Sequence, residues 1–251
     1  MRQPERLSAI LEQLSADGSL SVSDLSARLG VSAATIRRDL ELLERQRLLS
    51  RTHGGAVPQG VLYELPLRYK SARFHEEKLR IAHAAAERVA DGWAIGLTGG
   101  TTTTEVARAL VERQRLTVVT NALNIASELA VRANLKLVVT GGVARESYEL
   151  VGPIAEASLA GLNLDMVFLG VDGISPDAGL TTHHEVEAHT DLALIDRARN
   201  VTVVADSSKI GRVAFARICG MSRVDELITD SEADGAALSA IEERGVRVTT
   251  V

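Results

Sequence analysis

The stretch SVSDLSARLGVSAATIRRDLELLERQRLLSRTHGGAV, residues 21–57, sets the architecture of the N-terminal part of the chain. Its apolar residues recur at helical spacing in two short runs that Gly30 separates, and Ser21 and Ser32 stand at the position of an N-cap in each run. An earlier run, which ends at Asp17-Gly18, has the same spacing in Leu7, Ile10, Leu11 and Leu14. Three short helices with a glycine turn between the second and third predict a helix-turn-helix.

The third helix is expected to bury Ile36, Leu40 and Leu43 and to expose small residues and arginine on its opposite face. Small side chains permit close approach to the major groove, and arginine suits phosphate or guanine. Residues 48–53 predict a strand, Gly54-Gly55 a tight turn and residues 56–57 a return strand, which together form a wing. Asp39, Glu41 and Glu44 are expected to lie away from the groove. The residues expected to contact double-stranded DNA are Ser32, Ala34, Thr35, Arg37, Arg38, Arg51, His53 and Gly54.

The charge of the chain bears on this prediction. The 251 residues carry a net charge of −5, but residues 1–57 hold eight Arg and seven acidic residues, so that segment is +1 and the remainder −6. Local potential matters more for DNA binding than total charge. The alternative is that Arg37 and Arg38 form an ordinary solvated face of a small helical domain.

A resemblance favours the first interpretation. Residues 5–57, with the core Thr35-x-Arg37-Arg38-Asp39-Leu40 and the segment RTHGG at 51–55, closely resemble the DNA-binding signature of the DeoR family of bacterial regulators. That resemblance implies a winged helix-turn-helix domain at residues 1–57 of a sequence-specific transcriptional regulator.

The rest of the chain alternates between strand-like and helix-like segments. Residues 58–73 mix Pro, Gly and charge without a period, which predicts a linker, and residues 74–90 predict a helix. Helical patterns at 104–112 and 123–132 lie between β-rich runs. Such alternation predicts an α/β domain at 74–251 with a mostly parallel, Rossmann-like sheet. Its strands are expected at residues 93–97, 116–119, 135–139, 166–171, 201–205, 226–229 and 246–250.

Glycine and polar residues follow several of these strands, where ligands bind in such folds. Thr98-Gly99-Gly100 and four further threonines precede a helix, whose N-terminus favours an anion. Neither a P-loop lysine nor a dinucleotide fingerprint is present, so no nucleotide cofactor is expected. The alternative is that these loops are only turns.

The motifs TGGTTTT, VTNALNIA, TGGV…LVGP, FLGVDG…GLTT and VADSSKIGR look like the DeoR-family sensor domain over residues 76–231. The resemblance implies a fold like ribose-5-phosphate isomerase and a phosphorylated sugar as effector, with phosphate held by residues 100–104. A charged effector also suits Lys209, whose alternative is a solvated surface lysine. The expected effector-binding residues are Gly99, Gly100, Thr101, Thr102, Thr103, Thr104, Asn121, Gly141, Asp172, Thr181, Glu185 and Lys209.

A sugar-phosphate isomerase with an accessory DNA-binding domain is the competing function. Compared with that isomerase, the stretch after Asp172-Gly173 lacks further carboxylates, and the Lys-containing loop is replaced by DAGLTT at 177–182. Binding residues remain without the acid–base set, which favours a regulator over an enzyme. The expected regulator is a repressor of a sugar-metabolism operon, and a regulator that activates is the alternative.

The segment HHEVEAH at 183–189 is rich in groups that bind metals, with Glu185 and His189 on one helix face. Its spacing matches no established zinc pattern, so no metal is expected and a helix N-terminus with acidic residues is preferred. Glu185 or Glu187 is expected to contact hydroxyl or amine groups of the effector, which could be an amino sugar.

Cys219 is the one cysteine, and no apolar run is long enough to cross a bilayer. These features predict a cytoplasmic, nucleoid-associated protein without a membrane partner. Regulators with a helix-turn-helix bind paired operator half-sites as symmetric oligomers, so a homo-oligomer, a dimer or a tetramer, is expected.

Overall fold

The computed structural model describes residues 2–46, 48–58, 71 and 73–251. The chain divides into two compact units, residues 1–73 and 74–251. Most of the predicted linker, at 59–70 and 72, lies outside the described residues. Among the described helices, none has both the length and the apolar content that crossing a membrane requires.

The N-terminal unit is a winged helix-turn-helix. Gly18 caps the C-terminus of α1 and Gly30 that of α2, and both glycines adopt the left-handed conformation, with φ of 71° and 63°. Ser21 and Ser32 cap α2 and α3 by accepting the backbone N–H groups of Asp24 and Thr35. The elements are α1 (Gln3–Asp17), β1 (Leu20–Ser21), α2 (Val22–Leu29), α3 (Ala33–Arg45), β2 (Leu49–Thr52) and β3 (Gly55–Pro58), with the strands in the order β1-β3-β2.

The wing turns one residue earlier than predicted. Thr52 pairs with Gly55, so the turn is His53-Gly54 rather than Gly54-Gly55. Gly54 provides the positive φ of 117° that the turn needs. Gly55 belongs to β3, where a Cβ would overlap the carbonyl of Leu20.

The core of this unit is the predicted one, with Leu7, Ile10, Leu11 and Leu14 of α1 packed against Ile36, Leu40 and Leu43 of α3. Asp39 also lies away from the exposed face of α3. It is 1% exposed and pairs with Arg6, because its position three residues after Ile36 puts it on the buried face of the helix.

The C-terminal unit is built on a seven-stranded parallel sheet in the order β15-β14-β12-β9-β4-β5-β6. All seven predicted strands are present, and their ends differ from the prediction by a few residues. β12 begins three residues before its predicted start, and Gly170 and Val171, predicted to end β9, lie beyond that strand in a loop. The strands are β4 (Ala94–Leu97), β5 (Thr117–Thr120), β6 (Lys136–Val139), β9 (Leu164–Leu169), β12 (Ala198–Val204), β14 (Glu226–Thr229) and β15 (Arg247–Thr250).

Helices cover both faces of the sheet, because alternate strand residues point to opposite sides. Ile95, Leu97 and Phe168 pack on one side with α4, α5 and α6, whereas Val167 and Leu169 pack on the other with α7, α8 and α9. The predicted α/β fold is therefore confirmed. The helices are α4 (His75–Glu87), α5 (Thr101–Ala109), α6 (Leu123–Leu129), α7 (Pro153–Leu159), α8 (Glu185–Ile195) and α9 (Gly235–Glu242), with 3-10 turns at Leu110–Glu112, Ser207–Lys209 and Met221–Arg223.

Helix α5 begins three residues before the predicted start at residue 104. Gly100, with φ of 124°, is its N-cap, so Thr101 to Thr104 form the first helical turn. Helices α4 and α6 end three residues before their predicted ends.

Two small antiparallel sheets were not predicted. One is the hairpin of β7 (Val143–Ala144) and β8 (Leu150–Val151), and the other has the order β10-β11-β13. The second comprises β10 (Gly173–Ser175), β11 (Gly179–Thr182) and β13 (Ala216–Cys219). Both lie among the loops that follow the carboxyl ends of the parallel strands.

Candidate functional site

The outer face of α3 carries the residues expected to contact DNA. Ser32, Ala34, Arg37 and Arg38 are exposed, and Thr35 is half-buried. The Ser32 and Thr35 hydroxyls lie 3.0 Å apart at the start of the helix. This surface combines small side chains, two hydroxyls and two exposed arginines, which is the chemistry that suits a major groove.

The wing brings Arg51, His53 and Gly54 to the surface, all exposed. His53 and Gly54 form its tip. Arg51 lies in β2, where its backbone N–H donates to Glu44 Oε1 at 3.0 Å and its guanidinium is 3.9 Å from Glu44 Oε2. Glu44 therefore offsets part of the Arg51 charge in this unit.

A buried ion pair supports α3 from behind. Arg6 Nε and Nη2 donate to the two oxygens of Asp39 at 2.5 and 3.1 Å, and Gln3 Nε2 adds a third bond at 3.2 Å. The hydrogen bond to Asp39 raises the pKa of Arg6. This contact fixes α1 against α3, the helix whose outer face carries Arg37 and Arg38.

In the C-terminal unit, the sheet defines one crevice. The chain runs from β4 outward through β5 and β6, then returns to place β9 on the other side of β4. Ligands in open α/β sheets bind at the carboxyl ends of the two strands where the order reverses. Here those ends carry Gly99-Gly100 and Gly170, and Gly170 N–H donates to Thr98 Oγ1 at 3.0 Å.

The loop after β4 leads straight into α5. The N–H groups in the first turn of a helix have no intrahelical partner, so those of Thr101, Thr102 and Thr103 are available to an anion. Two of the threonines expected to bind the effector use their hydroxyl groups within the protein. Thr103 and Thr104 donate to the Gly100 carbonyl at 3.0 and 2.6 Å, so their side chains hold the cap of the helix.

Asn121 follows β5 beside this loop. Its side chain is fully buried, and neither amide atom has a hydrogen-bond partner within the described structure. Buried amide groups normally form hydrogen bonds, so the Asn121 side chain is available to hydrogen-bond a bound ligand. Gly141, after β6, donates its N–H to Ser158 Oγ at 3.3 Å and packs under Ile154.

On the β9 side of the crevice, three polar side chains surround the carboxylate of Asp172. Its carboxylate accepts from Lys209 Nζ at 3.3 Å and from Thr182 Oγ1 at 3.2 Å, and His183 Nε2 is 3.8 Å away. Thr181 is buried, and its hydroxyl joins Gly173 to Ala214. Lys209 is therefore held at the crevice by an ion pair.

Two further carboxyl groups lie close to Asp172. Glu187 is buried and accepts from Arg145 Nε at 2.9 Å and Ser147 Oγ at 2.7 Å. Asp191, one helical turn further along α8, is also buried. Burial, followed by the negative charges of Glu187 and Asp172, raises the pKa of Asp191 well above its usual range. Burial and the two neighbouring carboxylates therefore favour the protonated form of Asp191.

The two glutamates of α8 that were expected to contact the effector lie in different surroundings. Glu187 lies in the polar cluster, whereas Glu185 is exposed at the first position of the helix. His189 is exposed as well. Among the described residues, no group of three or more His, Cys, Asp or Glu is arranged to hold a metal ion.

Several polar residues of this region were not predicted from the sequence. Arg145, Ser147 and Glu149 lie on the β7–β8 hairpin, and the carboxylate of Glu149 lies directly against Gly99. Asp191 had a usable signal, since it stands four residues after Glu187 on the same helix face. The hairpin residues had none, because their partners are 40 or more residues away in the chain.

Comparisons with known proteins agree with both units. Residues 6–59 match the model of a DeoR-like helix-turn-helix domain, and residues 73–231 match that of the DeoR C-terminal sensor domain. Partial structural likeness extends to ribose 5-phosphate isomerase A of Methanocaldococcus jannaschii, with 22% identity, 54% of each chain and a TM-score of 0.41. The full-length sorbitol operon regulator SorC of Klebsiella pneumoniae matches with 12% identity, 96% of this chain, 99% of that chain and a TM-score of 0.44.

Full-length relatives are named regulators. The HTH-type transcriptional regulator GlpR of Haloferax volcanii is 39% identical over 99% of this chain and 98% of its own. The putative aga operon transcriptional repressor of Escherichia coli O157:H7 is 37% identical over 98% and 93%. The glycerol-3-phosphate regulon repressor of Escherichia coli K12 is 34% identical over 99% of both chains. The expectation of a regulator rather than an enzyme is confirmed, and the chain belongs to the DeoR family of DNA-binding transcriptional regulators.

Proposed function

We propose that this regulator represses a sugar-metabolism operon and that a phosphorylated sugar or amino sugar releases it from its operator. The observation that carries the proposal is the geometry of the crevice. An anion-ready helix start at Gly99–Thr103 faces the loop of Asp172 and Lys209 across the point where the strand order reverses. The names of two relatives, repressors of an aga operon and of a glycerol-3-phosphate regulon, support the same conclusion.

The proposed effector has two ends. Its phosphate binds the backbone N–H groups at Gly99, Gly100 and Thr101 to Thr103, with Lys209 as the counter-charge. Its hydroxyl or amine groups reach Asn121, Asp172 and Glu187. Thr104, Gly141 and Thr181 shape the walls through the contacts described above, and Glu185 lies at the rim.

On the DNA side, Ser32, Ala34, Thr35, Arg37 and Arg38 read the major groove, and Arg51, His53 and Gly54 contact the backbone or minor groove. We assign DNA binding to residues 1–57, linkage to 58–73 and effector sensing to 74–251. The protein acts at the nucleoid as a homo-oligomer whose symmetry sets the spacing of operator half-sites.

The test begins with an operator selected by the protein from a random pool of double-stranded DNA. Fluorescence anisotropy of the labelled operator then reports release by glycerol 3-phosphate, glucosamine 6-phosphate, ribose 5-phosphate and the matching unphosphorylated compounds. Thermal shift measures binding in parallel, since a ligand at a hundredfold its Kd stabilises by about 2.7 kcal/mol.

Only phosphorylated compounds are expected to shift the melting curve and release DNA. Lys209→Met should weaken both effects, whereas Lys136→Met, which removes an exposed lysine at the sheet edge, should change neither. If no phosphorylated compound stabilised the protein or released the operator, the proposed effector class would be wrong.

A further inference from the structure

We infer that Glu149 is a built-in competitor for the anion site, so that its carboxylate occupies the phosphate-binding loop until an effector displaces it. This inference rests on the proposed function, since it assigns a regulatory residue to the same site.

The Glu149 side chain lies directly against Gly99. A Cβ placed on Gly99 would overlap Glu149, and its three nearest neighbours would be the Oε1, Cγ and Cδ atoms of that side chain. The carboxylate therefore lies in the space directly over Gly99, the residue before Gly100, which is the N-cap of α5. A helix N-terminus stabilises negative charge, which makes this a favourable seat for a carboxylate.

The hairpin holds Glu149 in this position through its backbone. Leu150 N–H donates to the carbonyl of Asn121 at 2.7 Å, and Leu123 N–H donates to that of Tyr148 at 2.8 Å. Glu149 thus lies between two strand-like contacts with the segment that follows β5. Tyr148 adopts a left-handed φ of 67°, a backbone conformation that residues other than glycine rarely adopt.

The same hairpin reaches the other end of the crevice. Arg145 and Ser147 donate to Glu187 on α8, as described above. One short loop therefore covers the anion site with Glu149 and the carboxyl cluster with Arg145. An effector that fills the crevice must meet both contacts.

Competition follows from charge. A phosphate and the Glu149 carboxylate are both anions, and they cannot share one set of N–H donors without repulsion. A phosphate dianion carries more charge and more acceptor oxygens than a carboxylate, so it can displace Glu149. Neutral sugars gain nothing at this position. Glu149 would then sharpen selection for phosphorylated ligands at the expense of their affinity.

The experiment uses the full-length chain and titrates inorganic phosphate and glycerol 3-phosphate by calorimetry. Glu149→Gln keeps the size of the side chain but removes its charge, so phosphate should bind about tenfold more tightly, as expected when a site stops being self-occupied. Glu149→Ala should give a similar gain. Glu146→Gln, an exposed residue of the same hairpin, is the matched control and should bind like the unchanged protein.

The outcomes separate this inference from the proposed function. Tighter binding in both Glu149 variants supports competition. Unchanged or weaker binding in folded Glu149 variants, while Lys209→Met still loses phosphate, overturns the competitor role alone. Absence of phosphate binding in the unchanged protein and in every variant overturns both.

Discussion

The carboxyl group of Asp191 lies buried beside Glu187 and Asp172, which raises its pKa in the folded chain above that in the unfolded chain. Below the unfolded value both states are protonated, and the group adds no penalty. As pH rises, the unfolded state ionises first and gains free energy, so stability falls until the folded group also ionises. Asp191→Asn mimics the neutral acid and should remove that loss.

The measurement is the difference in Tm between Asp191→Asn and the unchanged protein, followed from about pH 4 to about pH 8. The difference should grow as pH rises, and other titrating groups should cancel. Asp177→Asn, which removes an exposed carboxylate paired with Arg244, is the control, and it should lack the rise expected for Asp191→Asn. A flat curve for Asp191→Asn would contradict the raised pKa of Asp191.

Gly99 gives a second prediction at this scale. Gly99→Ala should displace the Glu149 side chain and cost stability, because the new methyl group would occupy its place. In a chain that already carries Glu149→Ala, Gly99→Ala should cost almost no stability. A double-mutant cycle by urea denaturation should therefore show a coupling of about 1 kcal/mol. Additive effects would show that the two residues do not touch in solution.

Among the elements, α1 and α3 depend on the pair Arg6–Asp39. Breaking a buried pair leaves one uncompensated charge, so Asp39→Leu should destabilise the N-terminal unit by about 3–5 kcal/mol. Arg6→Met combined with Asp39→Leu should recover much of that loss, because neither charge remains buried. Urea denaturation of the three variants tests this, and a double variant no more stable than Asp39→Leu would contradict it.

Helix α3 also carries the prediction for DNA. Arg38→Ala should abolish specific operator binding at physiological salt while phosphate binding to the C-terminal unit stays unchanged. Arg45→Ala is the matched control on the same helix, since Arg45 already pairs with Glu41 at 2.6 Å. The residual binding of Arg38→Ala at low salt, followed by anisotropy as salt is added, should show a smaller salt slope if Arg38 contacts a phosphate. Normal binding by Arg38→Ala would show that another face reads the operator.

These elements also show what a sequence can reveal. The faces of α1 and α3 and all seven parallel strands could be predicted, because apolar periodicity and strand-ending glycines are local properties. The start of α5 was missed because the conformation of Gly100 fixes it. The contact of Glu149 with Gly99 and the pair Arg6–Asp39 join distant parts of the chain, so only the packed fold brings them together.

For the whole molecule, repression requires that effector and operator affect each other's binding. Thermodynamic linkage makes the effect equal in both directions. If a saturating sugar phosphate weakens operator binding by a given factor, saturating operator must weaken binding of that sugar phosphate by the same factor. Typical couplings of about 1–3 kcal/mol correspond to factors of about 5–150.

Two titrations measure this coupling, one of operator DNA with and without effector and one of effector with and without operator, each accompanied by sedimentation to record the oligomeric state. Lys209→Met should weaken the effector yet leave the operator affinity of the free protein unchanged, and Arg38→Ala should do the reverse. A factor clearly above one in both titrations would establish the coupling, whereas a factor of one in both would show that effector and operator bind independently. Unequal factors at constant oligomeric state would violate the closed cycle and require a second effector site, whereas a change of assembly on binding would make subunit dissociation the step that releases DNA.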